Sequence, residues 1–165
     1  MYVDGISIPT SYPHYTDVLE MRRKSCDIPE TDANLVPIAE ETLEQWRLLY
    51  NENMRNIPAA FFMSVGRAQE ILRNGTGYFV NYKNELFGIG VADKNRIDCI
   101  ISLIPGAGRD VLCALCKVLT GDEIVLEVAS TNERAVSFYE KMGFSVTSDE
   151  FLEENVPHVI MEMEI

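Results

Sequence analysis

The chain is short of basic residues, cysteine and histidine, and it has no long apolar run. Each shortage closes a class of function. Lys and Arg number 14 against 26 Asp and Glu, a formal charge of −12. Nucleic-acid binding leaves a basic footprint, and the one basic run, Arg22-Arg23-Lys24, is too short to offset that field. No nucleic-acid partner is expected. An acidic field steers cationic substrates and also favours solubility; composition alone leaves both readings open. No apolar stretch nears the roughly 20 residues that span a bilayer, so no membrane partner is expected. Met1 to Pro13 lacks the basic start and apolar core of a secretory signal.

The cysteines are Cys26, Cys99, Cys113 and Cys116, mostly within apolar runs. A reducing cytoplasm fits them best. Cys113-x-x-Cys116 invites a metal or redox reading. A redox pair sits at a helix N-terminus, where the dipole lowers the thiol pKa. This pair falls in the second turn of an apolar helix, among Val111, Leu112, Leu115 and Leu119. A zinc site would need further ligands, and only Cys26, Cys99, His14 and His158 are on offer. Core packing is the expectation for both cysteines, with no metal. No nucleophile pairs with either histidine to suggest a triad.

What is present is ordinary for a globular chain. The 165 residues, 47% hydrophobic and 24% charged, suggest one domain spanning 1–165 that folds without disulfide or metal. Residues 1–33 are the hardest to read; Asp17 to Cys26 fits a short helix, with Val18, Met21 and Arg22 on neighbouring turns. Leu35 to Ala39 is a short strand. Glu40 to Arg55 is a helix whose apolar stripe is Leu43, Trp46, Tyr50 and Met54. Residues 59–65 are an apolar loop, and Arg67 to Arg73 is a second helix ended by Asn74-Gly75.

The period then changes to two. Tyr78 to Tyr82, Leu86 to Ala92 and Ile97 to Ile104 are strands, with turns at Lys83-Asn84 and at Asp93 to Arg96. A glycine turn, Pro105 to Gly108, leads into a helix from Arg109 to Leu119. Glu123 to Ala129 is a strand, Asn132 to Met142 a helix ended by Gly143, and Phe144 to Thr147 and Val159 to Ile165 are strands joined by an acidic loop, 149–157. The order predicts an α/β (α+β) fold, a mixed sheet with helices on both sides.

The sharpest local pattern runs from Ser130 to Phe144. Ser130 with Glu133 matches a capping box, and Asn132 is the alternative cap. Ala135, Phe138, Tyr139 and Met142 share a helix face; Gly143 supplies a left-handed cap, and Phe144 can pack back on Tyr139. The second pattern is Leu103-Ile104-Pro105-Gly106-Ala107-Gly108-Arg109 between a strand and a helix. Glycines let a backbone approach a phosphate, and a helix start presents N–H groups and a positive dipole.

The run Asn132-x-x-Ala135-x-x-Phe138-Tyr139-Glu140-Lys141-x-Gly143-Phe144, directly after a Val- and Leu-rich strand, resembles the GNAT acetyltransferase superfamily. The resemblance covers residues 122–147 best, 77–121 fairly and 35–60 faintly. It implies a mostly antiparallel central sheet flanked by helices and an acyl-CoA-dependent N-acetyltransferase, with acetyl-CoA as donor. The acceptor would be an amine on a small molecule or peptide, and a homodimer is a candidate assembly. By the same resemblance Asn132 lies near the pantetheine or acyl group, and Tyr139 protonates the leaving thiolate. Main-chain groups of Ile101 and Leu103 pair with the pantetheine amides. Gly106, Ala107, Gly108 and Arg109 receive the pyrophosphate. This turn departs from the family's pattern: Leu103 stands where a basic residue or Gln is usual, and the stretch after it is short, leaving Arg109 to supply the cation. That departure keeps a second reading open, an acyl-CoA-binding module of the same fold without turnover.

An amine with a pKa of about 10.4 must lose a proton before it attacks. Asp98 on the third of these strands is the carboxylate singled out for this, with Glu85 and Glu127 as solvated charges and a water chain as the alternative. Glu153 and Glu154 belong to the acidic loop.

Overall fold

The computed structural model describes residues 18–57, 60–146, 150–153 and 156–159. His14, the Met1 to Pro13 segment, Glu154 and residues 160–165 of the expected last strand lie outside the described residues. Among the described residues the architecture is a mixed α/β fold with a seven-stranded, mostly antiparallel sheet, a two-stranded sheet and four α-helices. The chain divides into two compact units, Lys24–Ile124 and Met1–Arg23 with Val125–Ile165.

In the Lys24–Ile124 unit, β2 (Asn34–Pro37), β3 (Gly77–Tyr82), β4 (Glu85–Asp93) and β5 (Arg96–Ser102) are antiparallel neighbours in that order. Lys83 and Asn84, at φ 51° and 65°, make the tight β3–β4 hairpin that needs positive φ at both central positions. Helix α1 (Leu43–Met54) begins later than the sequence suggests. Thr42 closes a turn on Ala39 instead, its Oγ1 accepting from the Ala39 N–H at 2.9 Å, a local bond that competes with helix. The stripe holds: Trp46 and Tyr50 are buried with Met63, Phe79, Ile89 and Ile101, and Leu43 and Met54 pack against them. Trp46 Nε1 donates to the Tyr78 carbonyl at 3.1 Å, so its one polar atom is satisfied.

Helix α2 (Val65–Asn74) starts on Ser64, whose Oγ accepts from the Arg67 N–H at 3.1 Å, and ends on Gly75 at φ 69°. Helix α3 (Gly108–Cys116) packs on β4 and β5. Gly88 and Gly90 make that contact possible. A Cβ on Gly88 would stand 2.7 Å from Val111 and 2.4 Å from the Ile101 carbonyl oxygen, and one on Gly90 2.5 Å from Leu115. Residues ahead of β2 are tied to α3: Thr31 Oγ1 donates to Asp110 at 2.6 Å, and Lys117 Nζ to the Ala33 carbonyl at 2.7 Å. Cys113 is buried and Cys116 half-buried on this helix, beside buried Val111, Leu112 and Leu115.

In the other unit, the segment expected as a helix at Asp17 to Cys26 is a strand, β1 (Val18–Lys24), followed by a single 3-10 turn, Ser25–Asp27. Leu19, Glu20, Met21 and Arg23 are buried, and β1 pairs antiparallel with β7 (Ser145–Val146), Met21 opposite Val146. A partner at the far end of the chain overrides the weak local helical pattern. Strand β6 (Glu123–Ala129) flanks β1 on its other edge. Helix α4 (Glu133–Lys141) follows. Arg23, part of the basic run, is buried and donates from Nη1 to the Met142 carbonyl at 2.9 Å, a cation at a helix C-terminus where the dipole favours it.

The expected acidic loop 149–157 is corrected to a hairpin. Strands β8 (Glu150–Glu153) and β9 (Val156–Val159) pair antiparallel, Phe151 opposite His158. Backbone pairing is indifferent to the carboxylates that flank Phe151-Leu152 in sequence.

Candidate active site

The turn between β5 and α3 is built from local bonds. The Leu103 N–H donates to the Phe87 carbonyl at 2.8 Å, closing the β4–β5 ladder. Ser102 Oγ donates to the Ile104 carbonyl at 3.0 Å, and the Ala107 N–H donates to the same oxygen at 3.0 Å. Gly106 takes φ 82°, and a Cβ placed there would meet nothing within 4 Å. The surface over Gly106 is therefore open. The Val111 N–H bonds to the Ala107 carbonyl at 3.0 Å. Helix geometry then leaves the N–H groups of Gly108, Arg109 and Asp110 at the leading end without an earlier carbonyl in the helix. Ala107 is buried and Arg109 exposed. The Asp110 carboxylate is held by Thr31.

The β4–β5 register changes which main-chain groups of β5 are available. Leu103 bonds to Phe87, and the Ile101 oxygen lies at the Gly88 position on β4. Ile101 and Leu103 therefore aim their main-chain groups at β4. Alternation in an antiparallel pair turns those of Ile100 and Ser102 away from it. Ile101 and Leu103 are thus engaged with β4, and the main-chain groups of Ile100 and Ser102 face the edge of β5 on which β6 is the neighbouring strand. Sequence periodicity cannot show this, because it reports side-chain faces and not the direction of the N–H and C=O groups.

Asp98 is a half-exposed carboxylate on β5, with Arg96 Nε 3.6 Å from its Oδ1. The protein around it holds its pKa above the ordinary carboxylate value; Arg96 opposes this and Asp93 adds to it. Asp98 sits where the β4–β5 register shifts, between Ile97 opposite Ala92 and Cys99 opposite Val91. Burial pushes the neighbouring Cys99 thiol up to about 12, with Asp98 adding. Burial also raises the Tyr50 phenol, with Cys99 adding and Arg67 opposing. Both groups keep their protons at neutral pH, so neither serves as a base.

In the second unit, Asn132 is the cap of α4. Its Oδ1 accepts from the Ala135 N–H at 3.3 Å, leaving the amide NH2 as its remaining donor. Gly143 at φ 90° ends the helix, with the Phe144 N–H on the Tyr139 carbonyl at 2.9 Å. The Tyr139 ring is half-buried and edge-on to Phe144 at 5.8 Å and Phe138 at 5.4 Å. The packing expected of Phe144 on Tyr139 is present. Among the described residues no group of three or more His, Cys, Asp or Glu side chains is placed to hold a metal ion, and no helix is long and apolar enough to cross a membrane.

Known proteins share this arrangement of elements. The profile of an acetyltransferase (GNAT) domain matches residues 60–165. The chain belongs to the GNAT acetyltransferase family. An uncharacterized Bacillus subtilis (strain 168) protein, YyaT, is 28% identical over 94 residues, 52% of this chain and 64% of that protein. The chain thus spans less than two thirds of that relative's length.

Among solved structures, AAC(6')-Iy in complex with the bisubstrate analogue CoA-S-monomethyl-acetylneamine is 12% identical with a TM-score of 0.53. That likeness covers 74% of this chain and 97% of that one. A GNAT-family acetyltransferase from Colwellia psychrerythraea is 14% identical with a TM-score of 0.56, over 78% and 52% of the two chains. Arabidopsis thaliana Naa50 with the bisubstrate analogue CoA-Ac-MVNAL is 19% identical with a TM-score of 0.50, over 73% and 87%. At these identities the likeness establishes the fold.

Proposed function

We propose that the chain moves an acetyl group from acetyl-CoA to an amine by direct transfer. The observation that carries this reading is the open turn at Gly106 running into the start of α3, in a member of this family. N–H groups at a helix start, a positive dipole and the exposed Arg109 fit a diphosphate. Asn132 offers its amide NH2 to a carbonyl of the donor.

In the transfer the amine nitrogen forms a bond to the thioester carbonyl carbon, and the carbon–sulfur bond breaks. Tyr139 gives its phenolic proton to the departing thiolate. Before attack the ammonium gives up one proton to Asp98, whose raised pKa suits a base, or along a water chain, and the neutral amine then attacks; the second proton, lost from nitrogen as the amide forms, restores the Tyr139 phenol through water. The acceptor is an amine on a small molecule or peptide, the compartment the cytoplasm, and residues 1–165 act as one acyl-CoA-binding domain, with a homodimer as the candidate assembly.

The test is calorimetric titration with acetyl-CoA, followed by thiol release against a panel of amines. Micromolar binding with amine-dependent thiol release is expected. Binding with no release from any amine would favour the module without turnover, which Leu103 at a usually basic or Gln position supports. Absence of binding would overturn both readings.

A further inference from the structure

The segment ahead of β2 is fastened to both ends of α3. Thr31 Oγ1 donates to Asp110 Oδ1 at 2.6 Å in the first turn of the helix. Lys117 Nζ, just past the last turn, donates to the Ala33 carbonyl at 2.7 Å. Ala33 is buried at 0% exposure, and its N–H donates to Thr31 Oγ1 at 3.1 Å. That bond takes a lone pair of the hydroxyl and leaves its one proton for the carboxylate. A separation of 2.6 Å belongs to the short, charge-assisted class. The Asp110 side chain is therefore drawn toward residues 31–33 by a partner 79 positions away in sequence.

The place of Asp110 on the helix gives this bond a consequence. Ala107 stands at the cap position, and no side chain caps the helix there. Asp110 is the third residue of α3, the position from which a carboxylate reaches back to a helix start. The dipole and the free leading N–H groups favour a carboxylate that does so. Those are the groups the diphosphate of the donor would use. An unrestrained Asp110 would compete for them and repel the diphosphate at close range, with Arg109 as the exposed cation of the turn to set against it.

We infer that Thr31 is a positioning residue for donor binding: by holding the Asp110 carboxylate it keeps the leading N–H groups of α3 open to the diphosphate. The inference rests on the transfer reading above and adds the residue that keeps its donor site clear. CoA and pantetheine, which lacks the diphosphate, are the probes. Each is titrated by NMR into the full-length protein and its variants, at low and at high salt. Wild type should bind CoA more tightly than pantetheine. Thr31→Val removes the hydroxyl and frees the carboxylate. It should weaken CoA about fivefold at low salt, the upper worth of one charge at a helix start, less at high salt, and leave pantetheine unchanged. Thr31→Ser keeps the hydroxyl and should restore wild-type affinity. Asp110→Ala breaks the same hydrogen bond but leaves no carboxylate behind, so it should bind CoA at least as tightly as wild type. Combined with Thr31→Val, it should abolish the loss.

A bond that only supports the fold predicts a different pattern. Thr31→Val and Asp110→Ala would then weaken CoA alike, since each breaks it, and that outcome overturns the inference. So does a folded Thr31→Val whose preference for CoA matches that of wild type, a result that leaves the transfer reading standing. Should Thr31→Val fail to fold, Asp110→Ala decides: CoA binding weaker than wild type overturns the inference. Wild type that binds CoA no more tightly than pantetheine would remove the diphosphate from α3 and sink the donor site and the inference together.

Discussion

Asn51 holds both polar ends of Met63, its Oδ1 on the N–H at 2.7 Å and its Nδ2 on the carbonyl at 3.0 Å. One side-chain amide thereby does for this irregular segment what a ladder partner does for a strand. Asn51→Ala leaves a part-buried N–H with no acceptor and should cost about 1–3 kcal/mol. Asn51→Asp keeps the acceptor and loses the donor, so it should fall between Ala and wild type. Urea unfolding of the three proteins ranks them. Equal stability for all three would show that Arg47 and the burial of Met63 hold the segment without Asn51.

The two β4 glycines should differ in their tolerance of alanine. At Gly88 the new Cβ meets the Ile101 carbonyl oxygen at 2.4 Å, which is backbone and moves only with β5. At Gly90 the nearest atom, at 2.5 Å, is the tip of the Leu115 side chain, although the Cys99 carbonyl follows at 2.9 Å. Gly88→Ala should be the more destabilising, at about 2–3 kcal/mol, within the usual cost of overpacking. Melting midpoints of the two variants, compared with wild type, provide the check.

Stability should fall at alkaline pH partly through Cys99. Its ordinary pKa is 9.0 and burial pushes it up to about 12. Between those values the unfolded thiol has lost its proton while the folded one keeps it. The unfolded state then binds fewer protons, and stability falls as pH rises through that window. Tyr50, also raised by burial, contributes with the same sign. Cys99→Val removes the thiol, so its unfolding free energy should decline less steeply above pH 9 than that of wild type. Parallel declines for the two proteins would remove Cys99 from the account.

Arg109 should matter for the diphosphate end of the donor and little for the rest. It is exposed at the start of α3. Arg109→Ala should weaken CoA binding roughly tenfold at low salt, the worth of one charge-assisted contact. A pantetheine analogue without the diphosphate should bind both proteins alike. Equal losses for the two ligands would place Arg109 elsewhere.

Tyr139→Phe keeps the ring that packs edge-on against Phe144 and Phe138 and removes only the hydroxyl. If the hydroxyl protonates the thiolate, the variant should fold and bind acetyl-CoA normally while turning over about 10²–10⁴-fold slower. Tyr139→Ala should also lose stability, by about 2–3 kcal/mol for a half-buried ring. Turnover of Tyr139→Phe at the wild-type rate, under conditions where chemistry limits, would assign the residue to packing alone.

The sequence by itself determined the elements whose causes lie within a few residues. Helix α4 runs between its Asn132 cap and Gly143, α2 ends at Gly75, the β3–β4 hairpin turns at Lys83-Asn84, and the α1 stripe faces the core, each by short-range rules of capping, turn conformation and period. The strand, helix and aromatic order around Asn132 and Tyr139 was enough to place the chain in its family. Tertiary structure decided what depends on a distant partner. Val18–Lys24 is a strand because residues 145–146 pair with it, and Glu150–Glu153 is a strand because Val156–Val159 pairs with it. The β4–β5 register, and not any property of Ile101 or Leu103, turns their main-chain groups toward β4 and leaves those of Ile100 and Ser102 facing away. The exposure of Phe61 and Phe62 was likewise invisible in an apolar run, since it follows from the Asn51 clamp that buries Met63 and leaves its two neighbours at the surface. Side-chain period is a local property of a chain, whereas pairing, register and exposure are properties of two segments at once.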